Sequence, residues 1–368
     1  MLTRDIFKKN KDLYYEYLIG ISMAQTSIIK LKTSDLLDRK TLCYLRERSE
    51  FISSLLVLHA WSIIVLAMML FFFFPNPLTY VLAVMLIGAR QLGLAVIMHD
   101  AAHNALSRNH DFNDILSNFF CAYPLFARTE IYRRYHLKHH RNTQQEKDPD
   151  LVLSKPFPIT RKSFMRKIFR DLTGQTAFHQ RKAQFLDAIG GKDLSPINRI
   201  YHFWQKLGYE IIANIVIFIL CSLIFHWSFY LTLWLIPFVT YNMAITRIRS
   251  IAEHALVPDD NDPFRNARST RANWLVRIFL APYWVNYHVE HHLFMYVPCW
   301  KLKQTHNVLR ENGYVNRMET ATGYIDVLIK ACSKRDDEEN RGNFISNPKQ
   351  RLKGYFSEGF SPSQSNNN

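Results

Sequence analysis

The chain has 368 residues, enough for one large domain or two ordinary ones. Its 46 lysines and arginines outnumber its 31 aspartates and glutamates, which gives a formal net charge of +15. The mean hydropathy of −0.13 is that of a soluble protein, but the apolar residues are concentrated in a few blocks. Because the basic residues flank these blocks and no nucleic-acid-binding module is visible, the charge indicates membrane topology, and no nucleic-acid partner is expected.

The first apolar block covers residues 52–74 and contains no charged residue. A membrane-spanning helix needs about 20 consecutive apolar residues, so this block is predicted to cross the membrane. The block begins too far into the chain for a signal peptide and lacks a small-residue cleavage pattern. The second block, residues 78–98, follows at once after a short turn at residues 75–77.

The third and fourth apolar blocks, residues 211–225 and 230–245, are separated by a short polar interruption at residues 226–228. Together they are too long for one membrane crossing and about right for two. The chain is therefore predicted to be an all-α integral membrane protein with four transmembrane helices in two hairpins.

Lysine and arginine are distributed unevenly between the two ends of these helices. The hairpin turns at 75–77 and 226–228 contain neither, whereas the first fifty residues, the 128–208 stretch and the region after residue 246 are rich in both. By the positive-inside rule, the three basic regions face the cytoplasm. Both termini of this multi-pass protein are then expected on the cytoplasmic side.

Eight of the fifteen histidines fall into three short motifs. The first motif has the form H-x-x-x-H, and the second and third are each H-x-x-H-H. Positions i, i+3 and i+4 share one face of a helix, so the histidines of a motif can hold one ion together. The eight residues are His99 and His103, then His136, His139 and His140, and then His288, His291 and His292.

Eight imidazoles exceed the four ligands of a single tetrahedral ion, but they suffice for two ions with positions open to a reactant. Imidazole suits iron, zinc, copper and nickel, so ligand type alone does not name the metal. His254 lies where the fourth helix leaves the membrane, and its position alone does not decide whether it binds a metal ion. Six unclustered histidines are predicted to be structural: His59, His110, His179, His202, His226 and His306.

Ligating histidines usually donate their other ring N–H to a carboxylate or a carbonyl. Acidic residues next to the motifs are therefore candidates to support the ligands. These acidic residues are Asp100, Asp148, Asp150, Glu253 and Glu290.

The motifs and the apolar blocks together divide the chain into three parts. Residues 1–50 are expected to form a cytoplasmic N-terminal segment. Residues 51–332 are predicted to form the membrane catalytic domain, with the histidine motifs in a cytoplasmic helical cap. Two crossings separate the first two motifs from the third, so all three reach the same face. The tail at 333–368 is polar and is predicted to be disordered.

The order of the three motifs around two membrane hairpins resembles the integral-membrane fatty acid desaturase and hydroxylase family. The second motif continues as HLKHHRNT and is followed by Asp148 and Asp150 in a DPD sequence, which is similar to the family's second histidine box. The third motif runs NYHVEHHLF from Asn286 and is followed by Val297 and Pro298, which is similar to the third box. The first box is the short form, and it does not by itself fix the substrate.

The resemblance implies two non-haem iron ions that activate O2 and remove hydrogen from an unactivated C–H bond of a fatty acyl chain or acyl lipid. Family members often use an additional histidine between the second and third boxes, which favours His254 as a ninth ligand. Asn286 is a further candidate, acting through water. The chain has no haem-binding HPGG segment and no iron–sulfur cysteine set, so the electrons are expected from a separate protein of the ferredoxin or cytochrome b5 type.

An acyl chain needs an apolar channel that ends at the metals. Six aromatic residues near the motifs are candidates to line it, although core packing or anchoring at the membrane interface is favoured for each one individually. The six are Phe119, Phe120, Tyr123, Phe126, Trp284 and Trp300.

Three other functions compete with a fatty acyl desaturase. A hydroxylase or ketolase of a lipid or carotenoid begins with the same hydrogen abstraction, and the product's mass would separate it. A membrane haem electron carrier pairs histidines on facing helices across the bilayer, whereas these histidines cluster on one side. A membrane zinc hydrolase is not excluded by the type of ligand, since imidazole also binds zinc.

Overall fold

The computed structural model describes residues 31–191 and 194–334. Most of the predicted N-terminal segment, up to residue 30, and the predicted tail from residue 335 lie outside these ranges. Within them the chain is all-α, as predicted, apart from one parallel pair of two-residue strands, β1 Ser269–Thr270 and β2 Thr320–Ala321.

The helices of the first half are α1 Arg39–Leu45, α2 Glu50–Phe73, α3 Pro77–Ala102, α4 His110–Ser117, α5 Thr129–Arg141, α6 Leu151–Ser154, α7 Arg161–Leu172 and α8 Gln175–Ile189. The helices of the second half are α9 Pro196–Ile224, α10 Ile236–Val239, α11 Tyr241–His254, α12 Trp274–Phe279, α13 His288–Leu293, α14 Leu302–Glu311 and α15 Tyr324–Ala331.

Four helical stretches in the described residues are long and apolar enough to cross a membrane, which confirms the predicted number. They contain α2, α3, α9 and the stretch from Tyr230 to His254. The third is much longer than its apolar block, because Ser195 caps its first turn and Pro196 occupies its first position. Proline at this position costs no hydrogen bond, so a polar segment extends the helix before the membrane is reached.

The first hairpin turns within three residues of the end of α2. The Asn76 side chain accepts hydrogen bonds from the backbone N–H groups of Leu78 and Thr79, and the Thr79 hydroxyl accepts one from the Asn76 backbone N–H. This reciprocal cap satisfies N–H groups that a helix start would otherwise leave unpaired. The tight turn brings α3 back antiparallel along α2.

The fourth span is not one continuous helix, which corrects the uninterrupted block predicted from the sequence. A π-helical turn at Tyr230–Leu235 leads into α10, and the backbone at Thr240 departs from helical geometry (φ −120°, ψ −88°). Pro237 has no N–H to give to the ladder, which favours a break here. Beyond the break, α11 runs to His254.

Helix α3 is the central helix of the bundle. Its most apolar stretch is 67% buried, against 28%, 33% and 39% for the other three spans. Gly88 lets α11 approach closely, since a Cβ there would lie 2.9 Å from Tyr241 Cδ1 and 3.3 Å from the Asn242 nitrogen. The Asn242 side chain donates to the Gly88 carbonyl at 3.1 Å. This contact joins the middle of α3 to the start of α11.

Candidate metal centre

Nine histidines from four helices come together where α3 and α11 end. His99 lies in the last turn of α3 and His103 caps it, α5 carries the second motif, α11 ends at His254, and α13 carries the third motif. Five of them form one group, with ligand atoms within 4.8 Å of one another: His99, His103, His136, His140 and His291. Two overlapping sets sharing His254 form an adjacent group: His139, His254, His288 and His292, with Glu253.

The five-histidine group has more converging nitrogens than hydrogen bonds can pair. His140 Nε2 lies 2.9 Å from His136 Nε2 and 2.9 Å from His291 Nε2, yet a neutral imidazole carries a single N–H. Both ring nitrogens of buried His103 lack a partner among the described residues. Nitrogen ligands about 2.1 Å from an ion and at right angles are about 3.0 Å apart, so the donors fit one transition-metal ion.

The four-histidine group shows the same close approach of ring nitrogens. His288 Nε2 lies 2.8 Å from His254 Nε2 and 3.1 Å from His292 Nε2. The Glu253 carboxylate lies 3.6 Å from His288 Nδ1, the ring nitrogen that faces away from these close contacts. The donor set fits a second ion beside the first. The structure therefore brings all nine sequence-predicted ligands together and divides them five and four.

Burial keeps most of these imidazoles in the neutral form that binds metal. Among the histidines outside the four apolar stretches, it lowers the pKa of six, with neighbouring imidazoles acting in the same direction. The six are His103, His136, His140, His288, His291 and His292.

His139 differs because a carboxylate contacts its ring. Burial acts to lower its pKa, but the hydrogen bond and charge of Asp148, together with the charges of Asp150 and Glu253, outweigh burial and raise it. The Asp148 carboxylate lies 2.8 Å from His139 Nδ1 and accepts the Gln144 backbone N–H at 2.8 Å. Asp148 therefore fixes the ring so that Nε2 faces the centre. Asp150 is farther away, at 4.0 Å from His139 Nδ1, and accepts from the Tyr135 hydroxyl at 2.6 Å.

The remaining predicted supporting residues have different partners. Asp100 lies 3.4 Å from His99 Nδ1 and accepts the Cys299 backbone N–H at 2.6 Å, which ties α3 to the segment after the third motif. Asn286 donates to the Thr270 carbonyl at 3.0 Å, and its buried side-chain oxygen has no partner among the described residues.

Glu290 does not contact a ring nitrogen of the nine histidines in the described chain. Its buried carboxylate instead accepts from the Ser269 hydroxyl and pairs with His306 Nδ1. His306, predicted as one of the structural histidines, therefore belongs to the surroundings of the third motif. No spacing signal in the sequence links it to Glu290, because α14 approaches α13 only through the tertiary fold.

Two arginines that sequence reasoning missed stabilise the helix ends at the centre. Arg133, on α5, donates at 3.0 Å to the carbonyls of Ala101 and Ala102 at the end of α3. Arg268 donates at 2.8 Å to the carbonyl of Ala255, just beyond α11. A cation at a helix C-terminus satisfies unpaired carbonyls and complements the helix dipole.

A cavity of about 280 Å³ adjoins the centre, and His99 forms part of its wall. The inner wall comes from α3 and α11, and α5 to α8 with the segment before α5 complete it. Its apolar lining includes Leu92, Val96, Phe238 and Met243. The six aromatic residues considered from the sequence are not among its lining residues.

Comparison with known proteins gives three matches. The fatty acid desaturase family model matches residues 75–320. Dihydrorhizobitoxine desaturase of Bradyrhizobium elkanii is 30% identical over 250 residues, which cover 64% of this chain and 69% of that protein. The sn-1 oleoyl-lipid 12-desaturase of a Picosynechococcus species is 23% identical over 290 residues, which cover 72% of this chain and 79% of that protein. The span matched by the family model contains all nine clustered histidines.

Proposed function

Because the chain belongs to the fatty acid desaturase family, we propose that it is an O2-dependent di-iron oxidoreductase that introduces a double bond into a fatty acyl chain or acyl lipid. One observation carries the proposal. Nine histidines form two adjacent groups of converging nitrogens, and a largely apolar cavity adjoins them. An imidazole-rich pair of sites beside a channel for hydrocarbon suits oxidation of an unactivated methylene group.

Each group holds one non-haem iron ion in this proposal. The five-histidine group would bind the first, and the four-histidine group would bind the second. The two ions supply reducible centres that activate O2 when electrons arrive. Overall, –CH2–CH2–, O2, two electrons and two protons give –CH=CH– and two water molecules. The electrons come from a separate donor protein, of the ferredoxin or cytochrome b5 type.

The chain's own residues bind and orient the substrate and exclude water. Buried side chains on α3, α5, α11 and α13 surround the donors, which limits the access of solvent to reactive intermediates. In this proposal the hydrocarbon occupies the cavity whose wall includes His99. The two relatives are named for different substrates, dihydrorhizobitoxine and an oleoyl lipid, so the scaffold alone does not fix what this chain accepts.

The catalytic centre faces the cytoplasm in this proposal. The nine histidines lie at the ends of α3 and α11, on the side opposite the lysine- and arginine-free hairpin turns. The positive-inside rule then puts the centre, and both termini, on the cytoplasmic side. A soluble or cytoplasm-facing electron donor can reach it there.

The test is expression in a host of defined lipid composition, followed by mass spectrometry of the lipid extract. A product that has lost two hydrogens, and that is missing from cells carrying His136→Ala, supports the proposal. A product that has gained oxygen indicates a hydroxylase on the same scaffold. No new product, with iron and a reducing donor present, contradicts desaturation of the supplied lipids.

A further inference from the structure

Large apolar side chains are exposed on α7 and α8, although these helices lie outside the four apolar blocks. On α7, Met165, Phe169 and Leu172 are exposed at a spacing of four and then three residues, so they share one helix face. On α8, Phe178 and Phe185 are exposed seven residues apart, again on one face. Exposed apolar surface of this extent marks a contact with another molecule or with a membrane.

The first turns of α9 carry a similar stripe of apolar side chains. Ile197, Tyr201 and Trp204 are exposed at the same spacing of four and then three residues. The stripe continues on this face at Ile215 and Ile219, which are exposed within the third apolar block. Lipid covers that block in a helix that spans a membrane. The exposed face at the start of α9 is therefore continuous with a lipid-facing surface.

The length of α9 places these first turns at the surface of the membrane. The helix has 29 residues, about 43 Å at 1.5 Å per residue, whereas the hydrocarbon core is about 30 Å thick. Counted back about 20 residues from Ile224, the last residue of α9, the core begins near Trp204. Tyrosine and tryptophan are enriched at this level of a membrane, and Tyr201 and Trp204 are both exposed there.

Contacts with α9 hold the second half of α8 at the same level. His202 Nδ1 lies 2.7 Å from the carbonyl oxygen of Ala188, and Lys206 donates to the Asp187 carboxylate at 2.5 Å. The rings of Phe185 and Phe203 pack with their centroids 5.4 Å apart. Since residues 202–206 of α9 lie where the hydrocarbon core begins, this half of α8 lies beside the headgroups.

Asp171 holds α7 against α8 and the fourth span. Its fully buried carboxylate accepts a hydrogen bond from the Thr176 hydroxyl of α8 at 2.5 Å and one from Arg247 of α11 at 2.8 Å. Arg247 lies in the last two turns of the fourth span, which ends at His254. The contact therefore keeps α7 at the end of the bundle that carries the metal centre.

The exposed stripe of α7 lies opposite the face that lines the cavity. Lys167 is the lining residue from α7. At about 100° per residue, it points about 160° away from Met165 and Phe169, its neighbours two positions on either side. A single helix thus separates the cavity from whatever covers the stripe.

The charge of α7 and α8 suits the headgroup layer of a membrane. Residues 161–189 contain seven lysines and arginines and two aspartates. Both aspartates are paired, Asp171 with Arg247 and Asp187 with Lys206. Long basic side chains at a membrane surface cover apolar groups with their alkyl parts and keep their charged ends among water and headgroups. The exposed basic residues on these helices are Arg161, Lys162, Arg166 and Lys182.

We propose that α7, α8 and the first turns of α9 lie in the headgroup layer of the membrane, with their exposed apolar side chains inserted among the acyl chains. The occupant of this surface is lipid, because the surface continues the lipid-facing side of α9 at the level where the hydrocarbon core begins. The outer wall of the cavity then borders the bilayer. The inference goes beyond the proposed reaction and does not depend on it.

The experiment measures lipid contact at single positions of the full chain, reconstituted with iron in phosphatidylcholine nanodiscs. Cys43→Ser and Cys332→Ser remove the native thiols that are not buried. Bimane is then attached to one new cysteine at a time, made by Phe169→Cys, Phe178→Cys or Tyr201→Cys. Each of these side chains is exposed, so the label does not displace the core.

Two further exposed positions serve as controls. His179→Cys is the matched control, because it follows Phe178 directly but is turned about 100° from it. Arg310→Cys, on α14, is the reference for water. Phosphatidylcholine brominated near the headgroup end of its acyl chains quenches bimane from within the membrane, whereas iodide quenches it from water.

We expect brominated lipid to quench the probes at positions 169, 178 and 201 at least about twofold more strongly than the two controls, as for side chains inserted about 5–10 Å into the boundary between headgroups and acyl chains. Iodide should give the reverse order. Iron content equal to that of the unlabelled protein in each variant shows that the fold is intact.

Iodide quenching at these three positions as strong as at Arg310, with no effect of brominated lipid, would show that the surface faces water and would overturn the inference. Protection from both quenchers would overturn it as well, because protein would then cover the surface. Deleting residues 1–30, or limiting each nanodisc to one chain, identifies which protein does so. None of these outcomes involves turnover, so failure of the proposed reaction leaves the result interpretable.

Discussion

Carboxylates on the far side of the imidazole rings determine how well the rings are oriented toward the ions. Asp148 contacts His139 at 2.8 Å, whereas Asp100 and Glu253 are farther from their rings, at 3.4 and 3.6 Å. The shortest contact fixes both the ring orientation and the tautomer. Asp148 is therefore the supporting residue whose loss should matter most.

We expect Asp148→Asn to weaken iron binding about 10- to 100-fold, the usual cost of removing such a partner. The substitution keeps the side-chain shape but removes the charge that holds His139. Titration of the apoprotein with ferrous iron under anaerobic conditions measures the effect. Asp111→Asn, at an exposed position in α4, is the control. An unchanged iron affinity in Asp148→Asn would show that the hydrogen bond does not orient a ligand.

The division of the histidines into two groups predicts selective metal loss. His291→Ala removes a donor from the five-histidine group and His292→Ala removes one from the four-histidine group. Each should abolish turnover, and each should lower iron content by about one ion per chain rather than two. Exposed His179→Ala should retain both iron and activity. Equal iron loss in the control would mean that the wrong histidines have been assigned.

The sequence predicts which histidines cluster but not how they divide between the ions. The spacing within a motif places His136 and His140 on one face of α5. His139, one residue before His140, points to the other group and meets His254 and His292. That division depends on how four helices cross, which no local spacing encodes. The same reason hides the Glu290–His306 pair and the caps made by Arg133 and Arg268.

At the scale of helices, the contact between α3 and α11 positions ligands that lie more than a turn away. Gly88 and Asn242 are in contact, and the two helices end at His103 and His254. Close-packed helices transmit a local displacement along their length, because the interior has few voids to absorb it. A change in the distance between α3 and α11 at Gly88 should therefore displace the metal ligands at the ends of the two helices.

We expect Gly88→Ala to destabilise the protein by about 1–3 kcal/mol, because the added methyl group overpacks the contact with Tyr241. Iron content should fall as well, although no ligand is changed. Thermal unfolding and metal analysis of the purified variant measure both effects. Gly323→Ala is the control, since its new Cβ would meet only Asp326 Oδ2 at 3.9 Å. If the Gly88→Ala variant is destabilised but keeps its full iron content, the contact between α3 and α11 does not position the metal ligands.

Hydropathy located the four spans but did not give their ends. Apolar blocks mark the part of a helix that meets lipid, whereas the helix itself continues until a cap or a break. Thus α9 starts at Pro196, well before the block at 211–225, and the stretch from Tyr230 to His254 outlasts its block and is interrupted at Thr240. Caps and proline positions, read together with hydropathy, would have recovered part of this.

At the scale of the whole molecule, the uneven distribution of basic residues gives a testable orientation. Cys43 is exposed on α1, directly before the first span, and three other cysteines are buried: Cys121, Cys221 and Cys299. In a Cys332→Ser background, a membrane-impermeant maleimide should label Cys43 in inside-out vesicles but not in right-side-out vesicles. Labelling only in right-side-out vesicles would reverse the proposed topology.

The central claim is that folding assembles nine imidazoles into two neighbouring metal sites. The most direct measurement is the iron stoichiometry of the full chain, reconstituted anaerobically with ferrous iron in neutral-lipid nanodiscs and washed free of loosely bound metal. The account predicts two iron ions per chain, since the five- and four-histidine groups each fit one. A folded, active protein that retains one iron ion or none would contradict it.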